Sequence, residues 1–317
     1  MSRFLLLALG LILAAPAWAQ WPDRTIRIVV PFAAGGPADI YARVLAAHLK
    51  DPLGQSVVVE NRPGAGAIVG TDAVAKSPAD GYTLLMMSNT HTVNETLVAN
   101  KPYQLMRDFV PVAPVNESEL LLVVHPSVPV ASLKDLLAHV KANPGKLNYA
   151  SSGIGTPYHM AGELFKAMAG LDIVHVPHRG SSGARADVLA GHQHMMFDAI
   201  TTMAPNVQAG TLKGLATTAK ARSQILPNVP TADEAGVPGY EATIWLGVMA
   251  PTGTPKPAVD RLNREIGKII ARSDVKSDWS KQGAAGMVMT PDAFDRYLRA
   301  DIEKWAKLIR SANIKPE

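Results

Sequence analysis

The chain has no cysteine among its 317 residues. Disulfides therefore cannot stabilise it, and thiolates cannot serve as nucleophiles or metal ligands. Beyond residue 19 no apolar run is long enough to cross a bilayer. No block of like charge occurs either: the formal charge is only +4, and Lys and Arg are spread along the chain, which argues against nucleic acid as a partner. Short-period repeats and low-complexity segments are also missing.

What is present begins with an export signal. Arg3 supplies a positive start, Phe4–Ala15 an apolar stretch, and Ala17-Trp18-Ala19 a small-residue cleavage site before Gln20. Residues 1–19 thus read as a cleaved signal peptide, and losing Arg3 takes the charge from +4 to +3. An exported chain without disulfides must rely on its core, and 47% hydrophobic residues can build one. The length suits two domains.

Runs of β-branched and aliphatic residues alternate with helical patterns, which predicts α/β architecture. Strands are expected at Ile26–Val30, Ser56–Glu60, Tyr82–Met87, Leu120–His125, Leu147–Ser151, Ile173–Val176, Met195–Asp198, Gly214–Thr218 and Ile244–Ala250. Helical faces show at Ile40, Val44, Leu45 and Leu49, over Leu133–Ala142, Ala258–Ala271 and Pro291–Ser311, and at Met160, Leu164, Phe165 and Met168 as one buried stripe. Two extended crossovers, near 120–126 and 244–250, predict a middle lobe inserted into a discontinuous first one. The expected division is residues 20–122 plus 247–317 against 123–246.

One local pattern occurs in both halves. Ile28–Pro37 reads IVVPFAAGGP and Leu147–Pro157 reads LNYASSGIGTP. Each is a strand, a loop of small residues and a proline suited to the first position of a helix. Free N–H groups at a helix N-terminus, backed by the helix dipole, attract anions. One such end on each lobe predicts a cleft that holds a carboxylate. Asp39 belongs in the first turn after the first loop. In the second, Ser151, Ser152 and Thr156 add hydroxyls, with Thr156 as N-cap and His159 in the first turn. Each loop taken alone is equally ordinary turn chemistry.

Together with DGYTLL, the VPHRG segment, MFD and NVPTADEAGVPGYE, these loops make nearly the whole mature chain resemble the Bug-type family. These are the extracytoplasmic solute-binding proteins of tripartite tricarboxylate transporters. The resemblance implies a two-lobed, type II-like Venus-flytrap fold with two crossover strands, working in the periplasm. It further implies a small carboxylate as ligand, membrane permease subunits as partners, a monomer, no cofactor and no catalysis. Carried over residue by residue, it marks Phe32, Ala33, Ala34, Gly35, Gly36, Ser151, Ser152 and Thr156 as gripping a carboxylate. Ser88 and Asn89 match another cleft loop, with His159 near the cleft. Asp198 matches the acid of MFD, where it either takes a ligand amine or hydroxyl or caps the next helix. His178 stands where relatives carry Tyr, and Arg179 beside it is a candidate for a second carboxylate. The polar run Asn116–Glu119 faces either the cleft or solvent.

Other readings compete. Gly64–Gly70 imitates a dinucleotide fingerprint, with the last spacing one residue too long and no strand directly before it. The pairs His175/His178 and His192/His194, with His91 and His159, suggest a metal but match no familiar ligand spacing. Ser151 or Ser152 at a strand end resembles a hydrolase nucleophile in position, without the Gly-x-Ser-x-Gly frame.

Overall fold

The computed structural model describes residues 21–311 and 314–315; the expected leader over 1–19 lies outside the described residues. The chain builds two sheets that share one strand. In the first, β1 (Ile26–Val30) pairs in parallel with β2 (Val57–Asn61) and β3 (Thr83–Ser88). Helices α1 (Pro37–Leu53) and α2 (Ile68–Ala75) make the connections, and α3 (Asn89–Leu97) follows β3. A one-turn α4 (Leu105–Asp108) leads into β4 (Phe109–Val124).

β4 carries the architecture. Its first part, to Glu119, pairs antiparallel with β9 (Thr243–Pro251), and from Leu120 onward it pairs with β7 (Met195–Ala199) and β8 (Lys213–Thr217). The second sheet adds β5 (Asn148–Ser151), parallel to β6 (Val174–Pro177) and to β7. Its helices are α5 (Leu133–Ala142), α6 (Pro157–Ala169), α7 (Ser181–Leu189) and α8 (Ile200–Gln208). The chain returns through β9 to α9 (Lys256–Ala271), α10 (Ser273–Lys281), the short β10 (Ala284–Gly286) and α11 (Pro291–Ser311).

Both faces of each sheet are covered, so the central strands are apolar on both sides. Leu120, Leu122 and Val124 enter one core while Leu121 and Val123 enter the core behind it. Thr218 ties the two interlobe passages together: its Oγ1 accepts from Leu120 N–H at 2.8 Å, and its carbonyl accepts from Ala242 N–H at 3.0 Å. A smaller cluster joins the lobes directly, with Met160 of α6 meeting Val93 and Leu97 of α3 and Trp305 of α11.

Three features depart from the expectations. β4 begins eleven residues before the expected Leu120, because Pro111 and Pro114 sit at register shifts that absorb their missing donors. The Asn116–Glu119 run therefore lies inside this strand and alternates, with Asn116 and Ser118 buried and Glu117 exposed. Met168 is not in the buried stripe of α6. Met160 and Phe165 are fully buried, but Met168 is 41% exposed in the last turn before Gly170 ends the helix.

Candidate ligand site

The two glycine loops face one another across the gap between the sheets. In the first, Gly35 adopts φ 78°, which glycine alone enters without strain, and Gly36 is the N-cap with Pro37 at the first helical position. Asp39 accepts from Gly35 N–H at 3.0 Å and from Arg43 Nε at 3.0 Å, which fixes the loop from behind. The N–H groups of Ala38 and Asp39 have no acceptor within the helix.

The second loop is braced by its own hydroxyls. Thr156 caps α6 by accepting from His159 N–H at 3.4 Å, and its hydroxyl donates to Gly153 O at 2.7 Å. Ser151 Oγ accepts from Gly153 N–H at 3.1 Å and meets His175 Nε2 at 2.7 Å. His159 folds back under the loop. Its Nδ1 accepts from Gly155 N–H at 3.1 Å, and its ring lies 4.2 Å from that of His175. Burial pushes the His159 pKa down to about 3, so the ring stays neutral there.

Between the loops lies a cavity of about 30 Å³. Phe32, Ala33, Gly36, Ser88 and Ser152, all marked from the sequence, line it together with Ala38, Tyr158 and Ser181. Ile244 and Leu246 of β9 close it with apolar surface. Four helix N-termini thus meet at one small space: α1 at Gly36–Ala38, α3 at Ser88, α6 at Pro157–Tyr158 and α7 at Ser181. Each brings roughly half a positive charge. Among the described residues no acidic side chain lines the cavity.

Asp198 lies behind this wall rather than in it. It is fully buried, accepts from Ala199 N–H at 2.8 Å and is paired with Arg185 at 3.1 Å. Burial pushes its carboxyl up while Arg185 and the Tyr158 hydroxyl hold it down. Burial, then the Asp198 charge, raises Tyr158 well above its ordinary value, so the hydroxyl keeps its proton and points back to Asp198.

The other sequence candidates scatter. Ala34 and Gly35 form the exposed tip of the first loop. Asn89 donates to Thr243 O at 2.9 Å and ties α3 to the start of β9. Ser151, Thr156 and His159 support the second loop from beneath. His178 lines a separate, larger chamber of about 400 Å³ at the mouth of the gap, next to Arg179. Sequence reasoning missed Ser181, because Gly180-Ser181-Ser182-Gly183 reads as a turn; Ala184 and Val188, four apart and buried, were the helical signal.

The competing readings meet specific geometry. Gly70 lets α2 approach β1 closely, since a Cβ there would lie 2.6 Å from Arg62 O and 2.8 Å from Pro31 Cβ. His192 is exposed beside Asp187 at 3.6 Å, whereas His194 turns to Asn148. Among the described residues no group of three or more His, Cys, Asp or Glu is placed to hold a metal ion. Among them, too, no helix is long and apolar enough to cross a membrane.

Comparison with known proteins agrees with the geometry. Residues 41–314 match the tripartite tricarboxylate transporter family receptor. BugT of Bordetella pertussis is 39% identical over 306 residues, spanning 96% of this chain and 94% of that one. The R. palustris protein Rpa4515, solved with adipate, superposes with a TM-score of 0.91 at 36% identity, over 94% of this chain and 100% of that one. The periplasmic binding protein BugD gives 0.89 at 33% identity, over 94% and 100%. These likenesses bear out the two-lobed periplasmic-binding-protein fold. With its paired glycine loops closing on one cavity, the chain belongs to the Bug-type receptor family of tripartite tricarboxylate transporters.

Proposed function

We propose that this chain captures a small organic carboxylate between its lobes in the periplasm and presents it, as a monomer, to membrane permease subunits. One observation carries the reading: four helix N-termini surround a small cavity that no acidic side chain among the described residues lines. Backbone donors and dipoles there suit an anion without a matching cation. The adipate held by Rpa4515 is a ligand of this chemistry. The lobe division at 20–122 plus 247–317 against 123–246 draws support from the change of partners along β4 and from the start of β9. Cleavage of residues 1–19 would leave the mature chain free of its leader.

The test is a thermal-shift screen of mono-, di- and aromatic carboxylates against the mature protein, followed by calorimetry, with mass spectrometry of denatured protein to detect carried-over ligand. Stabilisation by a sugar, an amine or a metal, with every carboxylate inert, would sink the proposal.

A hydrolase reading rests on the 2.7 Å contact between Ser151 Oγ and His175 Nε2. Ser151 is completely buried, so no substrate carbonyl reaches it. Its hydroxyl serves the loop instead. Turnover of simple esters that Ser151→Ala abolishes would reverse this assignment.

A further inference from the structure

Behind the wall of the inner cavity, one tyrosine reaches from lobe to lobe. Tyr41 stands one helical turn after Pro37 and Ala38, which line the cavity, and is only 1% exposed. Its ring sits in the core of the first sheet and meets Trp279 of α10 edge-on, with ring centroids 5.1 Å apart. Phenylalanine would fill that space equally well, so packing does not account for the hydroxyl. A buried hydroxyl costs free energy unless it finds a hydrogen-bond partner.

One partner is on the opposite lobe and the other on the strand that both sheets share. The Tyr41 hydroxyl lies 3.4 Å from Thr201 Oγ1, in the first turn of α8. Asn116 of β4 approaches the same hydroxyl, and its buried Nδ2 has no hydrogen bond elsewhere among the described residues. Burial raises the Tyr41 pKa, with Thr201 and Asn116 offsetting part of the rise. The phenol therefore keeps its proton, and can donate to Thr201 while it accepts from Asn116. On the far side, Thr201 follows Asp198, the buried carboxylate that gathers Ala199 N–H, Arg185 of α7 and the Tyr158 hydroxyl of α6. The contact thus links α1 to the group that fixes α6, α7 and α8 relative to one another. Neither Tyr41 nor Thr201 lines the inner cavity or the chamber at the mouth.

We propose that Tyr41 is a positioning residue for ligand capture: its hydroxyl bonds Thr201 across the gap and holds the lobes closed without touching the ligand. Opening the gap breaks this bond, so it strengthens the closed form alone. This rests on the carboxylate reading above and adds a side-chain bond that acts on every ligand alike.

The experiment compares the wild-type chain with Tyr41→Phe, Thr201→Val, Thr201→Ser and the double variant Tyr41→Phe with Thr201→Val. Calorimetry with succinate, adipate and benzoate gives Kd, and release of radiolabelled ligand into excess unlabelled ligand gives koff. Tyr41→Phe and Thr201→Val should each weaken binding roughly 2- to 10-fold, the worth of one neutral hydrogen bond, by the same factor for every ligand that binds. The loss should appear in koff with kon unchanged, because the bond forms after the ligand is seated. The double variant should be no weaker than the weaker single one. Thr201→Ser keeps the hydroxyl and should recover most of the affinity that Thr201→Val loses. An unchanged koff in Tyr41→Phe, or single penalties that multiply in the double variant, overturns the role of Tyr41 while carboxylate capture stands. If no carboxylate of the wider screen binds the wild type, the capture reading falls and this role with it.

Discussion

Replacing Gly36 by alanine tests whether the smallness of the first loop exists for closure. Gly36 has φ −87° and ψ 169°, a region open to alanine, so no backbone strain is introduced. The added Cβ would meet the Ser181 hydroxyl at 3.0 Å, and the next atom, Ala33 O, stands at 3.7 Å. Ser181 belongs to the opposite lobe, so the crowding arises only when the lobes are together. Mild overpacking of this kind costs about 1 kcal/mol, the low end for inserted methyl groups, and raises Kd roughly fivefold. Stability without ligand should change little. Alanine is a poorer N-cap than glycine, but it also restricts the unfolded chain by about 0.4–1 kcal/mol, and the two effects oppose each other. The melting temperature should stay within about 3 °C. Calorimetry on Gly36→Ala, Ser181→Ala and the double variant supplies the check. Ser181→Ala alone removes a donor and costs about 1 kcal/mol of binding. Beside Ala at 36 it also removes the crowding atom, so the double variant should bind about 1 kcal/mol better than the two penalties summed. Penalties that add to within about 0.5 kcal/mol would refute the reasoning.

Two further outcomes follow from buried charge. Desolvation lowers the pKa of His91 from 6.5 to about 4 and that of His159 to about 3. The unfolded chain therefore binds more protons below pH 6.5, and stability, full near neutrality, is lost as pH falls, by about 2 kcal/mol per histidine near pH 5. Melting curves across this range should show the loss, His91→Gln with His159→Gln should flatten it, and an unchanged slope in that double variant counts against the assignment. Asp198→Asn leaves Arg185 buried without its partner and should cost about 3–5 kcal/mol, whereas Asp198→Leu with Arg185→Leu should cost much less. Denaturant titration compares the two, and equal costs would contradict the buried-pair account.

The parts of this fold that show in the sequence are those where one local signal dominates. β1 and β5 end in Gly-rich loops followed by proline, and the pattern locates each strand to within a residue of its observed span. The first half of β4 hides behind Pro111 and Pro114, which speak against a strand until bulges absorb them. α3, with the sequence NTHTVNETL, has a stripe of just two apolar residues, Val93 and Leu97. The rest of its buried face is polar: Thr92 bonds Asp301 at 2.6 Å, His91 meets Thr71 at 2.9 Å and Asn94 bonds Gly66. For the site, the loops can be read but the division of labour within them cannot. A sequence places Ser151 and Ser152 side by side. Only the fold turns the first inward to His175 and the second toward the cavity.

The distribution of the helix ends sets what closure of the two lobes would cost. α1 and α3 stand on one sheet, α6 and α7 on the other, and the chain passes between the sheets through β4 and the stretch before β9, clipped together by Thr218. Bringing the sheets together would therefore bring partial positive charges toward one another across a cavity with no acid among the described residues in its lining. An anion in that space would reverse the sign of the interaction and accept hydrogen bonds from both sides, and so would favour a closed form over an open one. The apolar contact of Met160 with Val93, Leu97 and Trp305 joins the lobes and would favour closure, while the like-signed helix ends would oppose it. With those two terms in opposition, a single anion bound at the four helix ends would be enough to shift such an equilibrium, and most of the differential affinity would come from backbone groups.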